Sequence, residues 1–162
     1  MGLDMYLKVS KHTYVSQYEN RKDYPAEFRK RDSLEQTISE IELPKEFDMY
    51  GSRSLECTAM SWRKANAIHN WFVENVQDGQ DDCKSYYVSV GQLTELLETI
   101  GRVLEDNALA DELLPTCSGC FFGGTEYDEY YFEILAYTYG RLQAILAMPG
   151  RESWSFEYQS SW

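Results

Sequence analysis

Apolar and polar residues alternate along the first ten residues of the chain, MGLDMYLKVS. Leu3, Met5, Leu7 and Val9 would lie on one face of an extended chain, and the polar residues on the other. A period of two is typical of a strand that is buried on one side only. The same alternation predicts further strands at residues 54–60, 85–90 and 154–158.

Three other stretches have the apolar spacing of an amphipathic helix. The clearest covers residues 90–105, where Ser89 and Gln92 have the spacing of a capping box. A second helix is predicted to begin at Trp62 with Ser61 as its cap, and a third to cover residues 126–148 with Thr125 and Asp128 as its capping signal. The apolar stripe of the clearest helix consists of Leu93, Leu96, Leu97, Ile100, Val103 and Leu104.

Residues 16–50 do not fit this pattern, because they are charged, sparsely apolar and interrupted by Pro25 and Pro44. They are predicted to form a long excursion with a short helical turn and a strand at residues 38–43. No internal repeat or linker divides the rest. The sequence therefore predicts one α+β domain over residues 1–162, with a mostly antiparallel sheet packed by about three main helices.

The stretch WRKANAIHNWF, residues 62–72, places polar side chains where a packing helix would not. At about 100° per residue, His69 projects into the apolar face and Asn66 lies at its edge, whereas Trp71 points outward. The commoner interpretation of a buried His or Asn is a hydrogen bond to a strand backbone or to a buried tyrosine. The alternative is a pocket lined by Asn66, His69 and Asn70, with His69 as a donor, acceptor or base.

If Trp71 points outward, another part of the structure or a partner is expected to bury its ring, because a large apolar ring in water is unfavourable. Either the excursion before Tyr50 folds over it, or it contacts a ligand or a partner chain. The excursion is the nearer candidate. A homodimer through Trp71 is the other arrangement that this position allows.

A second unusual stretch, CFFGGTEYDEYYFEI, combines paired glycines with a helix start and several aromatic residues. Exposed amides at a helix N-terminus attract anions, but Glu126, Asp128 and Glu129 would repel a phosphate there. Tyr130 would lie to one side of the helix, free to stack on a planar ligand or to pack. Together the two stretches give the candidate ligand-binding residues Trp62, Arg63, Asn66, His69, Asn70, Tyr127, Asp128 and Tyr130, with Lys64 as a further polar contact.

The net charge of −12 is unevenly distributed. Residues 65–162 hold 16 acidic and 4 basic residues, whereas residues 1–64 are balanced. This distribution disfavours direct binding of nucleic acid, whose affinity depends on Lys and Arg. It favours an acidic solubilising face, or, as the alternative, a surface that imitates a polyanion and occupies a basic groove on a partner protein.

Neither the cysteines nor known motifs identify a reaction. Cys57, Cys83, Cys117 and Cys120 would suffice for zinc, but a single CxxC is a weak signal and inert thiols are favoured. No hydrolase, metalloprotease or Rossmann motif is present, so the motifs do not decide whether the protein is an enzyme. No apolar run approaches the roughly 20 residues that cross a bilayer, and no secretion signal begins the chain, which predicts a cytoplasmic protein that does not bind membranes.

The blocks MGLDMYL, WRKANAIHNWFVENVQ, DDCKSYYVS and FFGGTEYDEYYF resemble, as a set, a family of small proteins carried by bacteriophages and prophages. The resemblance covers most of the chain except residues 16–50 and the C-terminal tail. It implies a cytoplasmic accessory role in an infected bacterium, but it brings no activity, so no catalytic residue is carried over. Two functions then compete: binding of a small nucleotide-like molecule, for example a host defence signal, or blocking of a host protein by the acidic half.

Overall fold

One antiparallel sheet organises the α+β fold of this chain, whose computed structural model describes residues 2–44, 47 and 50–162, without the side chain of Arg29. In this described part four strands form the sheet, in the order β2-β1-β4-β3. Strands β3 and β4 are antiparallel, with Tyr86 opposite Tyr158 and Val88 opposite Phe156. The predicted fold class is confirmed. The strands are β1 (Asp4–Val15), β2 (Gly51–Arg63), β3 (Tyr86–Val88) and β4 (Ser155–Ser161).

The α-helices differ widely in length. The longer ones are α2 (Asn66–Asn75), α3 (Val90–Glu105) and α5 (Glu129–Leu146), and the shorter ones are α1 (Ser33–Glu40) and α4 (Ala110–Leu113). Short 3-10 turns occur at Ala26–Arg29, Asn107–Leu109 and Arg151–Ser153. Among the described residues, no helix has the length and apolar character needed to cross a membrane.

The chain divides into two compact units. The first contains the chain up to Val9 together with Thr58–Trp162, and the second is Ser10–Cys57. In the first unit, the alternation predicted for the N-terminus is confirmed at Leu3, Met5 and Leu7, which are fully buried. It fails after Leu7, because Val9 is only half-buried and Ser10, predicted on the polar face, is buried. The three fully buried residues join residues of α2, α3, α5 and β4 in one hydrophobic core.

Helix α3 begins and ends where the sequence predicts. The Ser89 side chain accepts a hydrogen bond from the backbone of Gln92, whose own side chain accepts from the backbone of Ser89, which completes the capping box. Leu93, Leu96 and Ile100 of its apolar stripe are fully buried. For α3 the local sequence signals agree with the tertiary packing, so these signals are sufficient to predict where the helix begins and ends.

The prediction that a helix begins at Trp62 is wrong, because strand β2 continues to Arg63 and α2 begins at Asn66. Met60 and Trp62 are buried on the same side of this strand, and the Trp62 indole N–H donates to Thr138 Oγ1 at 2.8 Å. Lys64 then adopts a left-handed backbone conformation, with φ of +56°, which belongs neither to the strand nor to the helix. Ser61 therefore lies inside a strand and caps nothing.

Trp71 is buried, with 7% of its surface exposed, so the prediction that it points outward is wrong. Its ring packs edge-on against Phe72, with 5.4 Å between the centroids. Helix α2 has buried residues at seven of its ten positions, all around its axis. A single apolar stripe, the assumption behind the outward placement, does not describe such a helix.

Other boundaries also differ from the prediction, and capping residues explain several of them. Helix α5 begins at Glu129 because Asp128 is its N-cap, with Asp128 Oδ1 accepting from the Tyr131 N–H at 3.0 Å. Strand β3 ends at Val88 because Ser89 caps the next helix. Strand β4 begins at Ser155, since Trp154 ends a 3-10 turn.

In the second unit, the strand predicted at residues 38–43 is wrong, because helix α1 extends to Glu40. Asp32 and Glu35 form a capping box at its start, and the Arg53 guanidinium donates to the carbonyls of Ile38, Ser39 and Ile41 at its end. Lys11 is buried and forms ion pairs with Asp32 at 2.5 Å and with Glu35 at 3.4 Å. Side-chain bonds at both ends thus stabilise a short helix of modest apolar content.

Replacing Ser89 with Ala removes the hydroxyl of the capping box while leaving the apolar stripe of α3 intact. We expect the free energy of unfolding to fall by about 1 kcal/mol, as for other N-cap serines. Chemical denaturation followed by circular dichroism measures this change. Thr99→Ala, which removes a hydroxyl from a half-buried position in the middle of the same helix, is the control, and an equal loss in both variants would contradict the capping role.

Candidate ligand-binding site

A pocket of about 220 Å³ lies in the first unit, where the start of α2, the start of α5 and residues of the loop between α4 and α5 meet. Its walls combine aliphatic and aromatic side chains with a few charged groups. The lining residues are Lys64, Ala65, Asn66, Ala67, Ile68, Thr116, Gly123, Gly124, Glu126, Asp128, Tyr130, Tyr131, Ile134 and Leu135.

The turn at Lys64 forms one wall of this pocket. The Lys64 backbone N–H donates to the Leu3 carbonyl at 2.7 Å, which holds the turn against the first strand. Gly123 lies beside it with φ of +96°, and a Cβ at Gly123 would come within 3.2 Å of the Lys64 Cβ. The backbone conformation therefore favours glycine at position 123, and a side chain there would also press on Lys64.

Asn66 joins helix α2 to the loop. Its Nδ2 donates to the Phe122 carbonyl at 3.3 Å and to the Gly124 carbonyl at 2.7 Å. Because both partners are acceptors, the amide nitrogen must lie on their side, and this fixes the orientation of the amide group. The Asn66 backbone carbonyl also accepts from the Cys117 thiol at 3.4 Å. Asn66 thereby holds the loop that closes the pocket.

Hydrogen bonds also fix the aromatic wall. The Tyr130 hydroxyl donates to the Arg63 carbonyl at 2.7 Å, and the Tyr131 hydroxyl donates to the Leu114 carbonyl at 2.9 Å. Tyr131 is buried, which raises the pKa of its phenol, whereas Tyr130 is 50% exposed. One ring thus belongs to the interior and the other lies at the surface of the pocket.

Three of the eight candidate residues line the pocket, namely Asn66, Asp128 and Tyr130, and so does Lys64, the further polar contact. Trp62 and Arg63 instead line a shallower groove that shares Tyr130 and Ile134 with it. The other predicted residues, His69, Asn70 and Tyr127, do not line the pocket.

Tyr127 donates its hydroxyl to Asp111 at 2.9 Å, and Asn70 is half-buried on helix α2. Thr116 lines the pocket and was missed, because a lone threonine in an irregular loop has no periodic or motif signal. Its hydroxyl donates to the Thr125 carbonyl at 2.9 Å.

His69 lies in the core with 1% of its surface exposed and with both ring nitrogens bonded. Nε2 donates to Asp81 Oδ2 at 3.0 Å, since a carboxylate only accepts, and Nδ1 accepts from the Tyr158 hydroxyl at 2.7 Å. The ring also packs edge-on against Phe122 at 5.1 Å. This is the structural role predicted as the commoner interpretation, a bond to a buried tyrosine.

The cysteines are free thiols. Burial raises the pKa of the Cys117 thiol, which disfavours the reactive thiolate form. Within the described residues, no three His, Cys, Asp or Glu side chains come together as a metal site would require.

Replacing Tyr158 with Phe keeps the ring, which stacks on Phe72 at 4.0 Å, and removes the hydroxyl that bonds to His69. The buried Nδ1 would lose its partner, so we expect the free energy of unfolding to fall by roughly 1–3 kcal/mol. Denaturant titration measures the loss. The control is Tyr87→Phe, at an exposed position of β3, for which a change within about 0.5 kcal/mol is expected.

Stability should also fall in alkaline solution. Burial, helped by the charge of Asp81, raises the pKa of Tyr158 above its usual value of 10.0. Above pH 10 the unfolded chain releases this proton and the folded chain keeps it, so the stabilisation is complete below about pH 10 and is lost as the pH rises further. Urea denaturation from pH 9 to 11 should show a shallower decline for Tyr158→Phe than for Tyr87→Phe; equal slopes would exclude this contribution.

Comparison of the chain with protein-family models, with curated proteins and with solved structures finds no match. The chemistry of the pocket's own residues is therefore what indicates its function.

Proposed function

We propose that the protein binds a small molecule with a planar, nucleobase-like ring in the pocket between α2 and α5. The observation that carries this proposal is a concave site in which apolar and aromatic walls surround a few positioned polar groups, as is typical of small-molecule sites. Its volume of about 220 Å³ is below the roughly 300–1,000 Å³ of drug-sized sites. A single ring system with small substituents suits this volume.

Tyr130 supplies the stacking surface. Its ring is half exposed, and the hydroxyl bond to the Arg63 carbonyl limits its rotation, so little side-chain freedom would be lost on binding. Stacking of a base on an aromatic side chain contributes about 1–3 kcal/mol and tolerates different bases. Ile134 and Leu135, which follow on the same helix, add apolar surface.

The biological setting is proposed from the resemblance of the sequence blocks to phage and prophage proteins. In that setting the protein acts in the cytoplasm of the host cell, where it sequesters a small signalling molecule of the host defence. The acidic inhibitor of a host protein stays a prediction, because net charge alone does not locate a docking surface.

Gly124 offers a direct test. It lines the pocket, and a Cβ at this position would meet nothing within 4 Å, so Gly124→Leu would add a bulky side chain at the pocket wall without a clash at its Cβ. We expect at least one of adenosine, guanosine, cytidine and uridine to bind in isothermal titration calorimetry. Gly124→Leu should weaken that binding at least tenfold.

The matched control is Gly140→Leu, at an exposed position of α5 where a Cβ also meets nothing within 4 Å. It should bind as the unaltered protein does. Absence of binding for all four nucleosides would overturn the proposal, and equal binding by both leucine variants would move the site elsewhere.

A further inference from the structure

The hydrogen-bonding capacity that remains in the pocket is dominated by acceptors. Both N–H groups of the Asn66 amide are donated to loop carbonyls, so only its Oδ1 can serve a ligand. Asn66 is 4% exposed and lines the pocket, and no hydrogen bond to this oxygen occurs within the described part of the chain. It is an acceptor with a fixed orientation.

The hydroxyl groups of the lining residues are limited in the same way. Thr116, Tyr130 and Tyr131 each donate their single hydroxyl proton to a backbone carbonyl. A hydroxyl that has donated its proton offers only lone pairs to a further partner. None of the three can donate to a ligand without breaking a bond that holds the wall.

Two carboxylates add to this set. Asp128 uses Oδ1 to cap helix α5, which leaves Oδ2, and Glu126 lines the same pocket. Ionised carboxylates accept hydrogen bonds and donate none, and they attract a positive partner. They also repel phosphate, which favours the ring of a nucleotide over its phosphate as the group that enters here.

Donors are concentrated at the turn before α2. Lys64 lines the pocket, and its ammonium forms no ion pair with the side chains that the structure describes. The first turn of α2 has neither a capping side chain nor an acidic residue, so its amides are the other donors at this end. The pocket therefore has donors at Lys64 and in the first turn of α2, and acceptors at Asn66, Asp128 and Glu126.

We propose that the pocket selects rings that carry an exocyclic amino group, such as adenine or cytosine, over the corresponding oxo rings. This inference rests on the proposed binding function. The amino group would donate to Asp128 Oδ2 or Asn66 Oδ1, and the adjacent ring nitrogen would accept from the donors at the α2 end. An oxo group in the place of the amino group would bring its own oxygen close to these acceptor oxygens. It has no proton to donate, so the acceptors would be left without partners.

The test compares pairs of nucleosides that differ by this substitution, adenosine with inosine and cytidine with uridine, by isothermal titration calorimetry. A buried acceptor left unpaired, or a lost hydrogen bond to a charged group, corresponds to a difference of roughly fivefold to a hundredfold in Kd. We expect the amino member of at least one pair to bind at least fivefold more tightly than its oxo partner. Equal affinities within both pairs would overturn the inference while leaving the proposed function intact. No binding by any of the four would overturn the inference, and the absence of guanosine binding as well would also overturn the proposed function.

Asp128→Asn assigns the preference to a residue. Asparagine also caps helices, so its oxygen can keep the bond to the Tyr131 N–H while its NH₂ replaces Oδ2 as a donor. The amino preference should then fall at least fivefold or reverse. Glu129→Gln removes the same charge from the next residue, which does not line the pocket, and should leave the preference unchanged.

Thermal unfolding of both variants shows whether the cap has survived the substitution. An unchanged amino preference in a folded Asp128→Asn variant would exclude Asp128 as the selecting group. An equal loss of preference in Glu129→Gln would show that net charge, and not a positioned acceptor, distinguishes the rings.

Discussion

The chain has two residues, 64 and 65, in which to leave strand β2 and enter helix α2. Trp62 is fixed before this turn by Thr138, and Asn66 is fixed after it by the carbonyls of Phe122 and Gly124. So short a connection places Lys64 in the left-handed region, at a cost of roughly 1–2 kcal/mol. The walls of the pocket depend on this turn, because Gly123 packs on Lys64 and the Tyr130 hydroxyl bonds to the Arg63 carbonyl.

The sequence predicts those parts of the fold in which local and tertiary requirements coincide. Helix α3 has a capping box at Ser89 and one apolar stripe, and its bounds follow from these signals alone. Local signals could not predict the burial of Trp71 or the residue at which α2 begins. The first depends on a helix that is buried all around, and the second on a strand that continues because Trp62 has a partner 76 residues away in the sequence.

The residues of the candidate site likewise divide into those that the sequence predicts and those that it does not. The sequence combines polar and aromatic residues at a helix start and on a packing face, and this combination suggests a binding site. This signal identified Asn66, Asp128 and Tyr130, and all three line the pocket. Thr116 lies in a loop, where no period constrains the interpretation. Its position depends on hydrogen bonds between loop residues, such as its own bond to the Thr125 carbonyl, and sequence spacing does not encode these.

His69 and Asn66 show why burial alone does not identify a binding residue. They lie three positions apart on α2 and are almost equally buried. Histidine attracts attention in a sequence because it titrates near neutral pH, but both of its ring nitrogens here are committed to Asp81 and Tyr158. Asparagine has no such chemistry, yet two bonds on one side of its amide leave the oxygen oriented and without a described partner. Which of the two can bind a ligand depends on the hydrogen-bonding capacity that remains after the internal bonds are formed, and not on the residue type.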